Sequence, residues 1–363
     1  MSNARNLADI VTGNFDVPLG ALDNVQVTPA AISDQANAST GYLALPAGTT
    51  AQRPVSPVNG MTRYNTTTGE PEWYDAPGED WVSFRNAPTY TIETLVVAGG
   101  ASGSRTPNTS SAGGGGAGGL LSDSTTIEIG SEFPIVIGAG GAAYQSPLDG
   151  GGNAGSNTTA FNLETIGGGT GGWYNGTEGY QNARSGGSGG GASWNGSNGT
   201  TFGAGTFGQG NNGGNASPNG ASCGGGGGGS GAVGGNAPNN SIGGTGGAGT
   251  NWQSLGTFYA GGGGGGSAGS ARAPGGTGGG GAGGFGTVTA DITGVAGSVN
   301  TGGGGGGTGG AGYGTTGTRP SGAGGSGIVI IRYEGSQRGT GGTVTSAGGY
   351  TYHTFTSSGT FTT

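Results

Sequence analysis

Apolar positions along the chain gather in a few short runs, separated by polar and glycine-rich stretches. The two strongest runs are Tyr90-Thr91-Ile92-Glu93-Thr94-Leu95-Val96-Val97 and Gly327-Ile328-Val329-Ile330-Ile331-Arg332-Tyr333, and both read as strands. Thr126-Ile127-Glu128-Ile129 and Phe133-Pro134-Ile135-Val136-Ile137 lie between them. These four runs are expected to pair into a small sheet that closes a domain. Upstream, Met61-Thr62-Arg63-Tyr64-Asn65 and Pro71-Glu72-Trp73-Tyr74 read as strands joined by a hairpin loop, and Trp81-Val82-Ser83-Phe84 follows a second turn. Near the C-terminus, Gly349-Tyr350-Thr351-Tyr352-His353-Thr354-Phe355-Thr356 and Gly359-Thr360-Phe361 alternate as strands do. At the other end, Ala4 to Ile10 fits one or two helical turns, while Val17-Pro18-Leu19 and Val25-Gln26-Val27 read as extended.

This pattern divides the chain into four regions. Residues 1–39 bury little by themselves and are expected to dock onto a partner. Residues 40–88 form a small β collar, too short for a deep core, so trimerisation is expected to supply the missing burial. Residues 90–334 carry the glycine tracts, among them 113–116, 167–169, 224–229, 261–266, 278–281 and 302–307. Residues 335–363 read as a linker followed by strands.

Composition changes the picture most. Glycine supplies 100 of 363 residues and apolar residues only 30%, so an oily core along the whole length is excluded. Aperiodic glycine-rich sequence is commonly disordered, but disordered segments are rich in charge and poor in aromatics. Here Ser185 to Ala271 carries no charged residue, yet it contains Trp194, Phe202, Phe207, Trp252, Phe258 and Tyr259. A collagen triple helix needs glycine at every third position and abundant proline, and 15 prolines among Gly-Gly-Gly runs do not supply it. In the polyproline-II conformation every N–H and C=O points outward. Bare glycine backbones can approach closely enough to bond to one another laterally, which satisfies those groups. Positions facing several neighbours must then be glycine, with Ala, Ser, Thr and Asn at the rim. The expected fold is mostly irregular and β: a small N-terminal β module, then a polyglycine-II helix bundle bordered by a few β-strands, with essentially no α-helix.

Two features resemble known proteins. Tracts such as 113–119 and 302–310, alternating with Asn- and aromatic-rich loops, resemble the polyglycine-II sandwich adhesins at the tips of some tailed-phage fibres. Leu45-Pro46-Ala47-Gly48-Thr49-Thr50-Ala51-Gln52-Arg53-Pro54, followed by Arg63-Tyr64-Asn65-Thr66-Thr67-Thr68-Gly69-Glu70-Pro71-Glu72-Trp73-Tyr74, is similar to a recurrent phage fibre module. The resemblance implies a homotrimeric tail-fibre protein whose residues 1–39 attach to a virion tail or baseplate protein. Its bundle loops would contact a host cell-surface glycan or outer-membrane protein. A non-adhesive virion component, either a fibre adaptor or a capsid decoration fibre, is the alternative. The stretch Tyr352 to Phe361 is similar to the strand that normally precedes such a domain, and here it comes last. It either packs back onto the sheet or engages another chain.

Charge and chemistry narrow the function further. A net charge of −8, with no lysine, argues against nucleic-acid binding. No apolar run approaches a membrane span. Met1 to Ile10 has no signal core, so the chain is expected to be made in a host cytoplasm and built into a virion. Gly-x-Gly-x-x-Gly matches lack a following helix, and no cofactor is expected. His353 is the only histidine and Cys223 the only cysteine, so neither a catalytic or metal cluster nor an intrachain disulfide is expected. Glu70, Glu72, Asp75, Glu79 and Asp80 cluster at the hairpin turns and read as solvated carboxylates rather than a cation site or acid/base pair. Asn-Gly-Ser/Thr triplets read as turn chemistry. The candidate contact residues are the loop aromatics Trp173, Tyr174, Tyr180, Trp194, Phe202, Phe207, Trp252, Phe258, Tyr259 and Tyr313. Rigid aromatics among Gly, Ser and Asn suit a binding surface. They suit equally the capping of bundle ends against water.

Overall fold

The computed structural model describes residues 45–84, 88–106, 110–145, 150–175, 179–194, 200–218, 222–286, 293–310 and 320–363. The readings made for residues 1–39 lie outside the described residues. The chain separates into two compact units, Met1–Ser83 and Phe84–Thr363. Among the described residues there is no α-helix, only strands, irregular tracts and two single 3-10 turns.

In the first unit the strands are β1 (Ala47–Gly48), β2 (Thr62–Asn65), β3 (Glu70–Asp75) and β4 (Asp80–Ser83), paired in that order. Its interior is polar. Among its described residues the buried side chains are Arg63, Asn65 and Glu72, whereas Val55, Val58, Met61 and Tyr64 are exposed. Glu72 thus departs from the expected solvated set. Its carboxylate accepts from Arg53 Nη2 at 2.7 Å and Asn65 Nδ2 at 3.0 Å, with Arg63 Nε 3.4 Å away. Both guanidiniums flank the Trp81 ring, their centres 6.0 and 5.9 Å from its centroid. Burial alone would raise the Glu72 carboxyl. The hydrogen bonds from Arg53 and Asn65, with the charges of Arg53 and Arg63, outweigh it and hold the group below its ordinary range. The two halves of the module motif, 45–54 and 63–74, therefore meet at one carboxylate.

The second unit begins with β5 (Thr89–Val97) and β6 (Leu120–Glu128), followed by β7 (Glu132–Ile135) and the hairpin β8 (Thr158–Ala160) and β9 (Leu163–Thr165). Two further hairpins are β10 (Trp173–Asn175) with β11 (Gly179–Gln181), and β12 (Thr250–Asn251) with β13 (Phe258–Tyr259). The last strands are β14 (Ile328–Glu334), β15 (Thr343–Ala347), β16 (Tyr350–Phe355) and β17 (Gly359–Thr362). The main sheet runs β15-β16-β14-β5-β6, antiparallel throughout. Three of the four expected runs share it. The fourth, β7, pairs instead with β17. The tail therefore packs back onto its own unit, adding two strands to the main sheet and one to β7. One face of the main sheet buries Ile92, Val96, Val329, Ile331, Phe355 and Phe361. The other buries Leu95, Val97, Leu120, Ile328 and Ile330. His353, fully buried, has a satisfied ring: Tyr333 Oη lies 2.8 Å from Nε2 and the Gly341 carbonyl 2.8 Å from Nδ1. Burial pushes its pKa below the ordinary value, keeping it neutral.

The chain passes directly from β5 into a glycine tract, and from glycine tracts into β6 and β14; the tracts stack as a lattice of polyglycine-II helices. Tract 112–119 sits at its centre. Gly115 N donates to Gly305 O and Gly118 N to Gly302 O. Gly116 N donates to Gly169 O and Gly119 N to Ile166 O. Gly114 N donates to Gly225 O and Ala117 N to Gly228 O. Each partner tract is reached at every third residue, as three residues per turn require. The same tract accepts from Ala98, Ala101 and Ser104, from Ser188 and Gly191, and from Gly263 and Gly266. It is therefore bonded to a ring of neighbouring tracts, donating to three and accepting from three. The closeness leaves no room for a side chain. A Cβ on Gly263 would lie 2.0 Å from the Gly305 carbonyl oxygen, and one on Gly304 2.1 Å from that of Gly115.

Tracts at the lattice surface follow a different rule, with glycine at the inward positions and a side chain at the outward one. Asn212 and Asn215, Pro274 and Thr277, and Val295 and Ser298 are exposed pairs three residues apart. Side-chain oxygens also terminate the lattice: Asn236 Oδ1 accepts from Asn215 N at 2.8 Å and Asn182 Oδ1 from Thr201 N at 3.0 Å. Not every non-glycine residue is at the rim, as expected from sequence. Ser102 and Ser104 are fully buried and accept from Asn153 N at 2.8 Å and Gly152 N at 3.0 Å, replacing a backbone carbonyl by a hydroxyl.

Two outcomes are expected. Gly263→Ala lowers stability by about 3 kcal/mol through overpacking, whereas outward-facing Asn215→Ala stays within about 0.5 kcal/mol; chemical denaturation of each variant measures both. Glu72→Gln costs the first unit on the order of 3 kcal/mol at neutral pH, because it strands the buried Arg63 guanidinium and the half-buried Arg53 beside it. The wild-type carboxyl has a folded pKa below its ordinary 4.5. Its stabilisation is thus complete above that value and lost as pH falls through the folded pKa. Acid unfolding of this unit is expected to be flatter in the variant.

Candidate functional site

The register of the lattice gives it two ends. Ala98, Gly119 and Gly327 adjoin the strands and mark the sheet end, while Ser104 and Gly113, bonded at 3.2 Å, lie toward the far end. The candidate aromatics divide between them. Hairpin β10–β11, with Trp173, Tyr174 and Tyr180, leaves the lattice beside Gly172, at the far end, as does Trp194 beside Ser193. Phe207 lies in a turn at the sheet end, Phe202 lies in the tract leading to it, and Trp252, Phe258 and Tyr259 belong to the β12–β13 hairpin there. Tyr313 lies outside the described residues. The nine described aromatics therefore do not converge on one site.

Their surroundings differ as well. Trp173 is half-buried, and its ring lies within 2.8 Å of where a Gly151 Cβ would stand, with Arg184 5.6 Å above the ring centroid. It covers lattice backbone, the capping role. Phe207 is fully exposed, and Phe202 and Phe258 are partly so. Trp252 is buried in the apolar layer on the main sheet.

The β12–β13 hairpin is the most elaborate of these places. Elsewhere at the sheet end, turns such as 206–209 and 299–302 reverse the chain directly, while this connection extends from Thr250 to Tyr259. It is held by a latch. Glu93 Oε2 accepts from Gln253 Nε2 at 2.6 Å and from Arg332 Nη2 at 2.9 Å. The Arg332 guanidinium lies 5.4 Å from the Trp252 ring centroid and 4.5 Å from that of Tyr350. Burial works against its charge, but hydrogen bonds to Tyr352 and Glu93 outweigh that and raise its pKa above the ordinary value. Gln253 and Ser254 adopt φ of 54° and 55°, a left-handed conformation costly for residues with a Cβ. Burial of Trp252 and the Gln253–Glu93–Arg332 bridge offset that strain.

Between hairpin and sheet lies a cavity of about 130 Å³. Trp252, Tyr259 and Tyr352, Leu255 and Ile330, and Thr257, Thr345 and Thr354 line it, with no charged residue. A model of the glycine-rich domain family matches residues 80–334, well over half of the sequence. The chain belongs to that family. No curated protein matches it. The glycine-rich domain so defined holds the lattice, β5, β6, β14 and the latched hairpin, while β15, β16 and β17 lie beyond the matched residues.

Sequence reasoning singled out Trp252 and Tyr259 but missed Glu93, Arg332 and Gln253. The alternation of β5 and β14 could have found the first two, since Glu93 and Arg332 are the charged residues within those apolar runs and stand cross-strand to each other. Trp252→Ala is expected to cost about 3 kcal/mol, as for other buried aromatics, and to open the hairpin. Limited proteolysis should then cut between Gln253 and Phe258, whereas Phe207→Ser leaves both stability and cleavage unchanged.

Proposed function

We propose that this chain is a bacteriophage tail-fibre adhesin. It attaches the particle to a host cell-surface glycan or outer-membrane protein, by binding without chemistry. The observation that carries this reading is a set of apolar side chains, Phe202, Phe207, Leu255 and Phe258, held exposed on a scaffold whose backbone is locked by lateral hydrogen bonds. They contribute little to the fold that displays them, and rigid display reduces the entropy lost on binding. The module motif of residues 45–74 supports the same reading through its resemblance to phage fibre proteins. So do the exposed Val55, Val58 and Met61, which suit burial against other copies in a homotrimer. In that assembly residues 1–39 attach to a tail or baseplate protein. The chain is then a virion component made in the host cytoplasm, and weak contacts from several copies combine into tight attachment.

The burial of Trp252 and the covering position of Trp173 favour a second reading, a non-adhesive fibre adaptor or capsid decoration fibre whose aromatics serve packing alone. Cell binding separates the two. Fluorescently labelled full-length protein should adsorb to host cells, and the double variant Leu255→Ser, Phe258→Ser should bind about tenfold less tightly, a loss of about 1.4 kcal/mol, with an unchanged melting temperature. Absence of adsorption by the wild-type protein supports the structural component instead. Exchange of the whole 251–259 loop is a poorer test, because it removes Trp252 and Gln253 from the latch.

A further inference from the structure

We propose that the cavity beneath the β12–β13 hairpin is a subsite for one uncharged sugar ring at the end of a glycan, a claim that rests on the adhesin reading and gives it a ligand class. Its lining is apolar and hydroxylic. Trp252, Tyr259 and Tyr352, with Leu255 and Ile330, offer apolar surface to the C–H side of a pyranose, and Thr257, Thr345 and Thr354 offer hydroxyls that both donate and accept. No carboxylate or guanidinium enters the cavity. Arg332, which hydrogen-bonds Tyr352, is already paired with Glu93, so a sialic or uronic acid would give up the hydration of its carboxylate without a free ionic partner. At about 130 Å³ the space is well below the roughly 300–1,000 Å³ of pockets that enclose a drug-sized ligand, so it accepts one ring and leaves the rest of a chain outside. Phe258 on the same hairpin, and Leu255, which lines the cavity and is also exposed, are placed to meet that remainder.

The hairpin has the character of a built wall. It is longer than turns 206–209 and 299–302, and it accepts two left-handed non-glycine residues, as the β8–β9 hairpin also does at Phe161 and Asn162; in addition it is tied to the sheet through Gln253, Glu93 and Arg332. The opposite wall is β16 and edge strand β15, where Thr345 stands cross-strand to Tyr352. Because β15 is exposed along its length, a large residue can be placed at Thr345 to fill the cavity without entering the core. Ser346 lies on the other face of the same strand and serves as the control position.

The test is ligand-observed saturation-transfer NMR on the full chain with methyl glycosides of glucose, galactose, mannose and N-acetylglucosamine, together with the methyl glycoside of sialic acid. The expected result is transfer to at least one neutral glycoside and none to the sialoside. Thr345→Trp should weaken the signal-bearing interaction at least about tenfold, and Ser346→Trp should leave it unchanged. No transfer to any neutral glycoside overturns the proposal, as does transfer indifferent to Thr345→Trp or preference for the sialoside. Adsorption to host cells keeps this claim separate from the adhesin reading. Cells bound equally by wild type and Thr345→Trp remove the subsite while leaving the adhesin. Glycoside binding without cell adsorption keeps the subsite and removes the adhesin.

Discussion

The fold depends on lateral N–H···O=C bonding between backbones that carry no side chains at their contacts. An isolated polyglycine-II helix has no internal hydrogen bonds and loses the maximum of conformational entropy on ordering. Each lateral bond returns only about 0.5–1.5 kcal/mol net, so a single pair of tracts is not stable by itself. A ring of neighbours changes the balance, since every amide of a central tract such as 112–119 then finds a partner. The apolar layers on the two faces of the main sheet add the burial that backbone packing lacks. Strands β5, β6 and β14 are continuous with tracts 98–104, 112–119 and 321–327, so the sheet fixes where the lattice begins and in which register.

Much of this architecture was legible in the sequence because it follows from local pattern. The strands of the first unit, the long apolar runs and the interior all-glycine tracts are all periodic signals of short range. What was not legible depends on contacts made across the fold. Glu72 looks like one of five turn carboxylates until the chain brings Arg53 and Arg63 to it. Trp252 looks like a loop aromatic until the hairpin lays it on the sheet. One signal was present and went unread. Tract 211–217 places its exposed side chains, Asn212 and Asn215, three residues apart, and tract 293–298 adds exposed Ala296 to the pair Val295 and Ser298, so the number of non-glycine positions per turn reports how many sides of a helix are free. The aperiodic appearance of the whole arises from helices of different exposure following one another.

The candidate aromatics illustrate why residue type alone does not define a binding surface. Trp173 and Trp194 stand at the far end, and the β12–β13 hairpin at the sheet end, so a single receptor contact does not engage all ten. A rigid lattice permits this division of labour. Trp252 and Tyr259 stabilise the hairpin from beneath, Phe258 remains outside, and Leu255 lines the cavity while staying partly exposed. The same arrangement explains how the described residues of the charge-free segment from Ser185 to Ala271 are held in place: their polarity resides largely in backbone amides, and the lattice consumes these.

Amide hydrogen exchange resolved along the chain tests the central claim most directly. If glycine backbones are locked together laterally, the amides of 112–119, 224–229, 261–266 and 302–307 exchange as slowly as those of β5 and β14. Exchange of these tracts at the rate of an unstructured chain, with protection confined to the sheet, would contradict it.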